Sequence, residues 1–108
     1  MDGPNKFSVV LTEQADFDRD RIIDELIARK PTLGLQWLDA YEYTESLLAN
    51  NPYMYQEHFL FARRAHLRKF PYTIYYVIDE INAIILITAV LHQRQDPTII
   101  LERLNIEF

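Results

Sequence analysis

Two clusters of side chains able to do chemistry flank the most apolar part of this chain. The first is a basic run, Arg63, Arg64, His66, Arg68 and Lys69; the second is a polar group, His92, Gln93, Arg94, Gln95 and Asp96. Guanidinium and ammonium groups face phosphates or carboxylates well, and an imidazole titrates near neutrality, so it can give or take a proton. Each cluster also has a plain reading. Arg64, Arg68 and Lys69 suit the solvated face of an edge strand, where charge prevents edge-to-edge association. Arg94 and Asp96 are placed to form a local ion pair, and His92 to sit satisfied at a sheet rim. The three histidines, His58, His66 and His92, show no ligand spacing, and no carboxylate pair suggests a metal. Gly3 and Gly34 are the only glycines, which excludes a phosphate-cradling loop. No cofactor is expected.

Positioning these clusters falls to the segment between them. Tyr72–Ile78 and Ala83–Leu91 are apolar at nearly every position and are separated by a turn at Asp79–Asn82. Strands apolar on both faces belong inside a sheet with cover on at least one side. Upstream, Phe7–Leu11 reads as a first strand. Thr12 is a helix N-cap, with Glu13 and Asp16 in the first turn, where the helix dipole favours negative charge. Ala15, Ile22, Ile23, Leu26 and Ile27 recur at helical spacing, so a helix is expected from Glu13 to Arg29, ended by Pro31. Thr32 is expected to cap a second helix with the stripe Leu35, Leu38, Tyr41, Leu47 and Leu48, and Trp37 beside it. Asn50, Asn51 and Pro52 end that helix. A further strand is expected within Phe59–Lys69, and a short last helix from Asp96-Pro97 to about Leu104. The order β-α-α-β-β-β-α describes an α+β domain: an antiparallel helical hairpin on one face of a small, mostly antiparallel four-stranded sheet.

The 108 residues suffice for one core of two layers. Residues 6–108 are expected to form that domain, with residues 1–5 a loose tail. No stretch approaches the ~20 apolar residues of a membrane helix. The absence of cysteine excludes disulfides and thiolate metal sites; it and the polar N-terminus agree with a cytoplasmic protein. The net charge is -5, and the acid lies in the first half, where residues 1–56 carry ten acidic and five basic side chains. Proteins that grip nucleic acid by its phosphates show the opposite balance, which argues against tight RNA or DNA binding.

The segments LRKFPYTIYYVIDE and AVLHQRQDP, set in the β-α-α-β-β-β order, resemble the RelE/ParE superfamily of bacterial toxins from type II toxin–antitoxin systems, in particular its ParE-like "plasmid stabilisation" branch. The similarity runs from Lys6 to Leu104 and is densest between Arg64 and Pro97. It implies a cognate antitoxin whose C-terminal segment wraps the toxin. Tyr53, Tyr55, Phe59 and Phe61 would suit that contact, with Arg68 and Lys69 beside them, although the aromatics could equally fill the core. For ParE-type members the resemblance implies DNA gyrase as target and inhibition by binding. For the ribosome-dependent mRNA interferases it implies a site of basic residues, onto which Arg64, His66 and Arg94 fall, with His92 close by. Two members of that site are missing: Thr73 stands where an arginine is expected, and Ile100 where a tyrosine is expected. An endoribonuclease and a degenerate non-toxic member therefore stand as alternatives behind the binding toxin, and the sequence leaves a homo-oligomer open.

Overall fold

The computed structural model describes residues 7–59 and 61–107, so the expected tail lies outside the described residues. Five strands form one sheet: β1 (Ser8–Leu11), β2 (Glu57–Phe59), β3 (Ala62–His66), β4 (Tyr72–Asp79) and β5 (Ile84–His92). Their order is β1-β5-β4-β3-β2, with β1 parallel to β5 and every other pair antiparallel. The α+β architecture is as expected, with one strand more. The segment expected to hold a single strand within Phe59–Lys69 instead belongs to a tight hairpin, β2 and β3.

Helices α1 (Glu13–Arg29) and α2 (Pro31–Asn50) cover one face. Thr12 caps α1 as predicted, its hydroxyl accepting the Ala15 N–H at 3.1 Å. Pro31 does more than stop that helix. It opens α2 from the first position, with extended Lys30 as the whole connection and no side-chain cap from Thr32. Proline lacks only an N–H that the first helical turn leaves unpaired anyway, and its φ is already helical. The buried face of α2 is Gly34, Trp37, Tyr41, Thr44, Leu48 and Ala49; Tyr41 and Leu48 of the expected stripe lie on it, whereas Leu38 and Leu47 are half-buried and Leu35 is 62% exposed. Trp37, the largest apolar side chain, fixes the face: it stacks on Tyr41 at 5.4 Å and meets Tyr72 edge-on at 5.8 Å. Gly34 lets α1 approach, because a Cβ there would lie 2.4 Å from Ile27 Cγ1.

The two central strands are apolar on both faces because both faces are covered. Ile74, Tyr76, Ile85, Ile87 and Val90 pack under α1 and α2. Tyr75, Val77, Ala89 and Leu91 pack against Ile100 and Leu104 of α3 (Ile99–Glu107) on the other side. A bulge between Tyr75 and Tyr76 keeps both sets facing inward along the long β4–β5 pair. The β4–β5 turn is fixed by Asp79, whose carboxylate accepts the Asn82 backbone and side-chain N–H groups. The last helix begins two residues later than expected: Asp96 Oδ1 accepts the Thr98 N–H, and a tighter turn through Pro97 precedes Ile99.

Candidate functional site

Strand register decides whether the candidate catalytic residues meet. Arg64 lies opposite Tyr75 and His66 opposite Thr73 on β3–β4, whereas His92 lies opposite Tyr72 on β4–β5. Neighbouring residues of a strand point to opposite faces. Tyr72 packs with the α1–α2 core, and Thr73 points to the α3 side. Arg64 and His66 are therefore on one face of the sheet, and His92 is on the other. The one site that the resemblance implies for Arg64, His66, His92 and Arg94 is therefore not assembled.

On the α3 side, Arg64, His66 and His58 line a recess of about 340 Å³ with Tyr55 and Glu57. Arg64 Nη1 is 3.3 Å from His58 Nε2, and His66 Nδ1 is 2.7 Å from Thr73 Oγ1. Desolvation, then the Arg64 guanidinium, then His66, holds the His58 imidazole below its ordinary pKa. Thr73 is thus no empty arginine position; it is buried and orients His66. Ile100, at the expected tyrosine position, is wholly buried on the inner face of α3, against the sheet.

On the other face, His92 and Arg94 share a recess of about 310 Å³ with Arg21, Glu25 and Tyr72. His92 is edge-on to Tyr72 at 4.9 Å, and its Nδ1 accepts the Arg94 N–H at 3.0 Å. Gln95 Oε1 accepts the His92 N–H at 2.8 Å. The polar cluster after β5 is a turn braced by its own side chains. The expected Arg94–Asp96 pair gives way to the Thr98 N–H, which holds the Asp96 carboxyl below its usual range. Among the described residues no cluster of histidines and carboxylates could hold a metal.

The partner-binding candidates also divide. Tyr53 and Phe61 border a groove of about 740 Å³ whose floor includes Val10, Val77, Ile84 and Leu86. Tyr53 donates its hydroxyl to Glu80, which raises its phenolic pKa, and the Arg63 guanidinium lies 5.4 Å from its ring centroid. Tyr55 is half-buried against the α1–α2 core. Phe59 closes β2, but its side chain lies outside the described residues. Arg68 and Lys69 lie apart from these, in a recess against α2 where Arg68 stacks on Tyr43 at 5.3 Å.

One constellation escaped the sequence reading. The Asp18 carboxylate accepts Arg103 Nη1 and Nη2 at 2.6 and 3.1 Å, and the Val90 N–H at 2.9 Å. Arg103 Nη1 also donates to the Thr88 carbonyl at 3.0 Å. Strand β1 pairs with β5 only as far as Ile87, so these two side chains serve the outer edge of β5 where no strand does. The signal was an aspartate on the buried Ala15–Ile22–Leu26 face of α1.

Comparison with known proteins now bears on this framework. The family model described as "ParE toxin of type II toxin-antitoxin system, parDE" matches residues 9–97. The chain belongs to this family. A solved structure titled "Chromosomal ParDE TA system from P. aeruginosa" contains a chain of similar fold, with a TM-score of 0.70 and 16% identity over 81% of this chain and 96% of that one. No curated protein matches the sequence significantly. The match ends at Pro97, so α3 and its Arg103 lie beyond the region that the family model describes. Among the described residues no helix is long and apolar enough to cross a membrane.

Proposed function

We propose that this ParE-family chain is the toxin of a type II toxin–antitoxin pair, acting by binding a cellular target and neutralised by a cognate antitoxin. The observation that carries this reading is the contrast between the two kinds of candidate site. The acid–base and phosphate-facing candidates are split across the sheet, while a large apolar groove stands open on the α3 side. Inhibition by binding needs a complementary surface and no catalytic constellation. For a ParE-type protein the expected target is DNA gyrase. Expression of the chain alone should arrest growth, and co-expression of the protein encoded beside it should relieve the arrest. A supercoiling assay with purified gyrase then reads the target. Harmless expression at high level refutes toxicity and leaves a degenerate member.

A second reading, an mRNA interferase, is favoured by one local observation. His58, Arg64 and His66 gather in one recess, with one imidazole held below its ordinary pKa. Primer extension after induction separates the readings: cuts within translated codons support the nuclease, and unchanged transcripts eliminate it.

A further inference from the structure

The recess on the helical face gathers cations that the fold itself does not use. Helix α1 supplies Arg21 and Glu25 to it, and the turn after β5 supplies His92, Arg94 and Gln95. Arg94 is exposed and has no ion pair among the described residues; its neighbour Asp96 is engaged by the Thr98 N–H. Arg21 has only Glu25, at 4.0 Å, and both side chains are more than half exposed. That pair also runs in the weaker direction along a helix, cation before anion. The next arginine on α1 is different: Arg19 is held by Asp16 at 2.9 Å. Arg21 and Arg94 therefore form a local positive site on a chain whose net charge is -5.

Two neutral donors complete the lining. His92 Nδ1 accepts the Arg94 N–H, so the ring proton sits on Nε2, which has no acceptor among the described residues. The Tyr72 hydroxyl has no protein partner among them either. Burial, then the Glu25 carboxylate, holds its proton on, against the opposing pull of Arg29 and Arg21. Edge-on contacts with Trp37 and His92 fix the Tyr72 ring. Two guanidinium forks, an imidazole N–H and a phenol suit a dianion with three terminal oxygens better than a carboxylate with a single charge. A phosphomonoester is such a dianion near neutral pH. Glu25 selects the rest of the ligand: its carboxylate repels a bare phosphate and accepts a hydroxyl carried beside one. The volume of about 310 Å³ lies at the small end of the range for ligand sites, which leaves room for a sugar-sized body.

We propose that this recess binds a small phosphorylated polyol of the sugar phosphate class, with Arg21 and Arg94 on the phosphate, His92 Nε2–H and the Tyr72 hydroxyl donating to its oxygens, and Glu25 accepting a hydroxyl. The site does not rest on the toxin reading. It is also separate from the interferase site that the resemblance implies, because Arg64 and His66 lie on the other face of the sheet. The probes are ribose phosphate, inorganic phosphate and dimethyl phosphate, titrated into the full chain and followed by amide NMR at low salt. Ribose phosphate saturates with shifts at Arg21, Glu25, His92 and Arg94, and binds about tenfold more tightly than inorganic phosphate. Dimethyl phosphate, singly charged like a nucleic-acid backbone, binds most weakly, and added salt weakens all three. Arg94→Gln lowers the affinity for ribose phosphate about tenfold, and Arg21→Gln several-fold, with the amide spectrum otherwise unchanged. Both side chains are exposed, and the Arg94 backbone N–H that braces His92 survives the substitution. Glu25→Gln tightens inorganic phosphate and erases the preference for the sugar. Shifts centred on Arg64 and His66 overturn the assignment. So does binding that does not saturate, or that Arg94→Gln leaves unaltered, which would be a diffuse attraction of anions and no site. Dimethyl phosphate binding as tightly as ribose phosphate replaces the small molecule with a nucleic-acid backbone and overturns the proposal.

Discussion

Removing Asp18 tests how this protein holds its C-terminal helix. The carboxylate accepts three hydrogen bonds from two partners, Arg103 and Val90, and the side chains of Asp18 and Arg103 are only 7% and 16% exposed. Asp18 comes from α1 on one face of the sheet and Arg103 from α3 on the other, so the pair ties both helical layers together around the edge of β5. Asp18→Ala strands two groups at once. The guanidinium loses its counter-charge, a change that costs about 3–5 kcal/mol when the pair is fully buried. The Val90 N–H loses its acceptor, worth about 1–3 kcal/mol if it stays dry. Because Arg103 retains some contact with water, the total should fall near the combined lower bound, about 4 kcal/mol. A domain of this size has roughly 5–15 kcal/mol in hand, so the variant folds but with a large part of its margin gone.

Urea unfolding followed by the fluorescence of Trp37, the single tryptophan, measures this directly. Asp18→Asn keeps an acceptor for Val90 and loses the charge, and should cost about half as much as the alanine variant. Arg103→Met should cost about 2 kcal/mol and strip hydrogen-exchange protection from α3 while leaving α1 protected. The double variant should recover about 1.5–2 kcal/mol of the summed single losses, because a solitary buried charge is what each single variant creates. Single losses below about 1 kcal/mol that simply add would refute this account. Ile100 and Leu104 would then hold α3 by packing alone.

Two further outcomes follow from particular contacts. Gly34→Ala gains about 1 kcal/mol of helix propensity but drives its methyl into Ile27, so the net change should be a loss of about 1 kcal/mol, largely restored by Ile27→Ala in the same chain; a more stable Gly34→Ala would show that the helices separate freely. The His58 imidazole should titrate by NMR below its ordinary midpoint and move part of the way back in Arg64→Gln, since the Arg64 charge is the second of its causes after desolvation. The depressed histidine binds its proton more readily in the unfolded chain, so its contribution to stability is present above the unfolded pKa and is lost as pH falls toward the folded one.

Where the sequence carried local signals, it was read correctly. The β-branched runs named β1, β4 and β5, Thr12 named the start of α1, and apolarity on both sides of β4 and β5 placed them at the centre of the sheet. Strand β2 was missed because three residues, Glu57–Phe59, are too few to show alternation. The face of α2 was legible only in part: Tyr41 and Leu48 lie on it, but it turns toward Trp37 and away from Leu35, because packing follows volume and shape. The site was misjudged for a subtler reason. His66 and His92 flank the same strand β4, and their faces depend on pairing with Thr73 or with Tyr72, a difference of one residue. A slip of one position would have united them, and no periodicity in the sequence reports it. The Asp18–Arg103 pair, 85 residues apart, has no local signature beyond the polar intrusion on a buried helix face.

Burial also decides what the two missing active-site residues mean. An arginine lost from a surface could be replaced by another cation reaching in from nearby. Here the corresponding positions belong to the core: Thr73 is 3% exposed and bonded to His66, and Ile100 is fully buried against the sheet. An arginine at Thr73 would need a counter-charge in a dry layer, and a tyrosine at Ile100 would overfill the packing under α3. Each preorganised group absent from such a site typically costs 10²–10³ in rate, and the loss of two leaves little to drive phosphoryl transfer. The residues that remain are committed elsewhere, His92 to its turn and His66 to Thr73. Two of the implied site positions are core here, while Val10, Phe61 and Ile81 stay on the surface, and that arrangement agrees better with the proposed binding role than with the alternative of RNA cleavage.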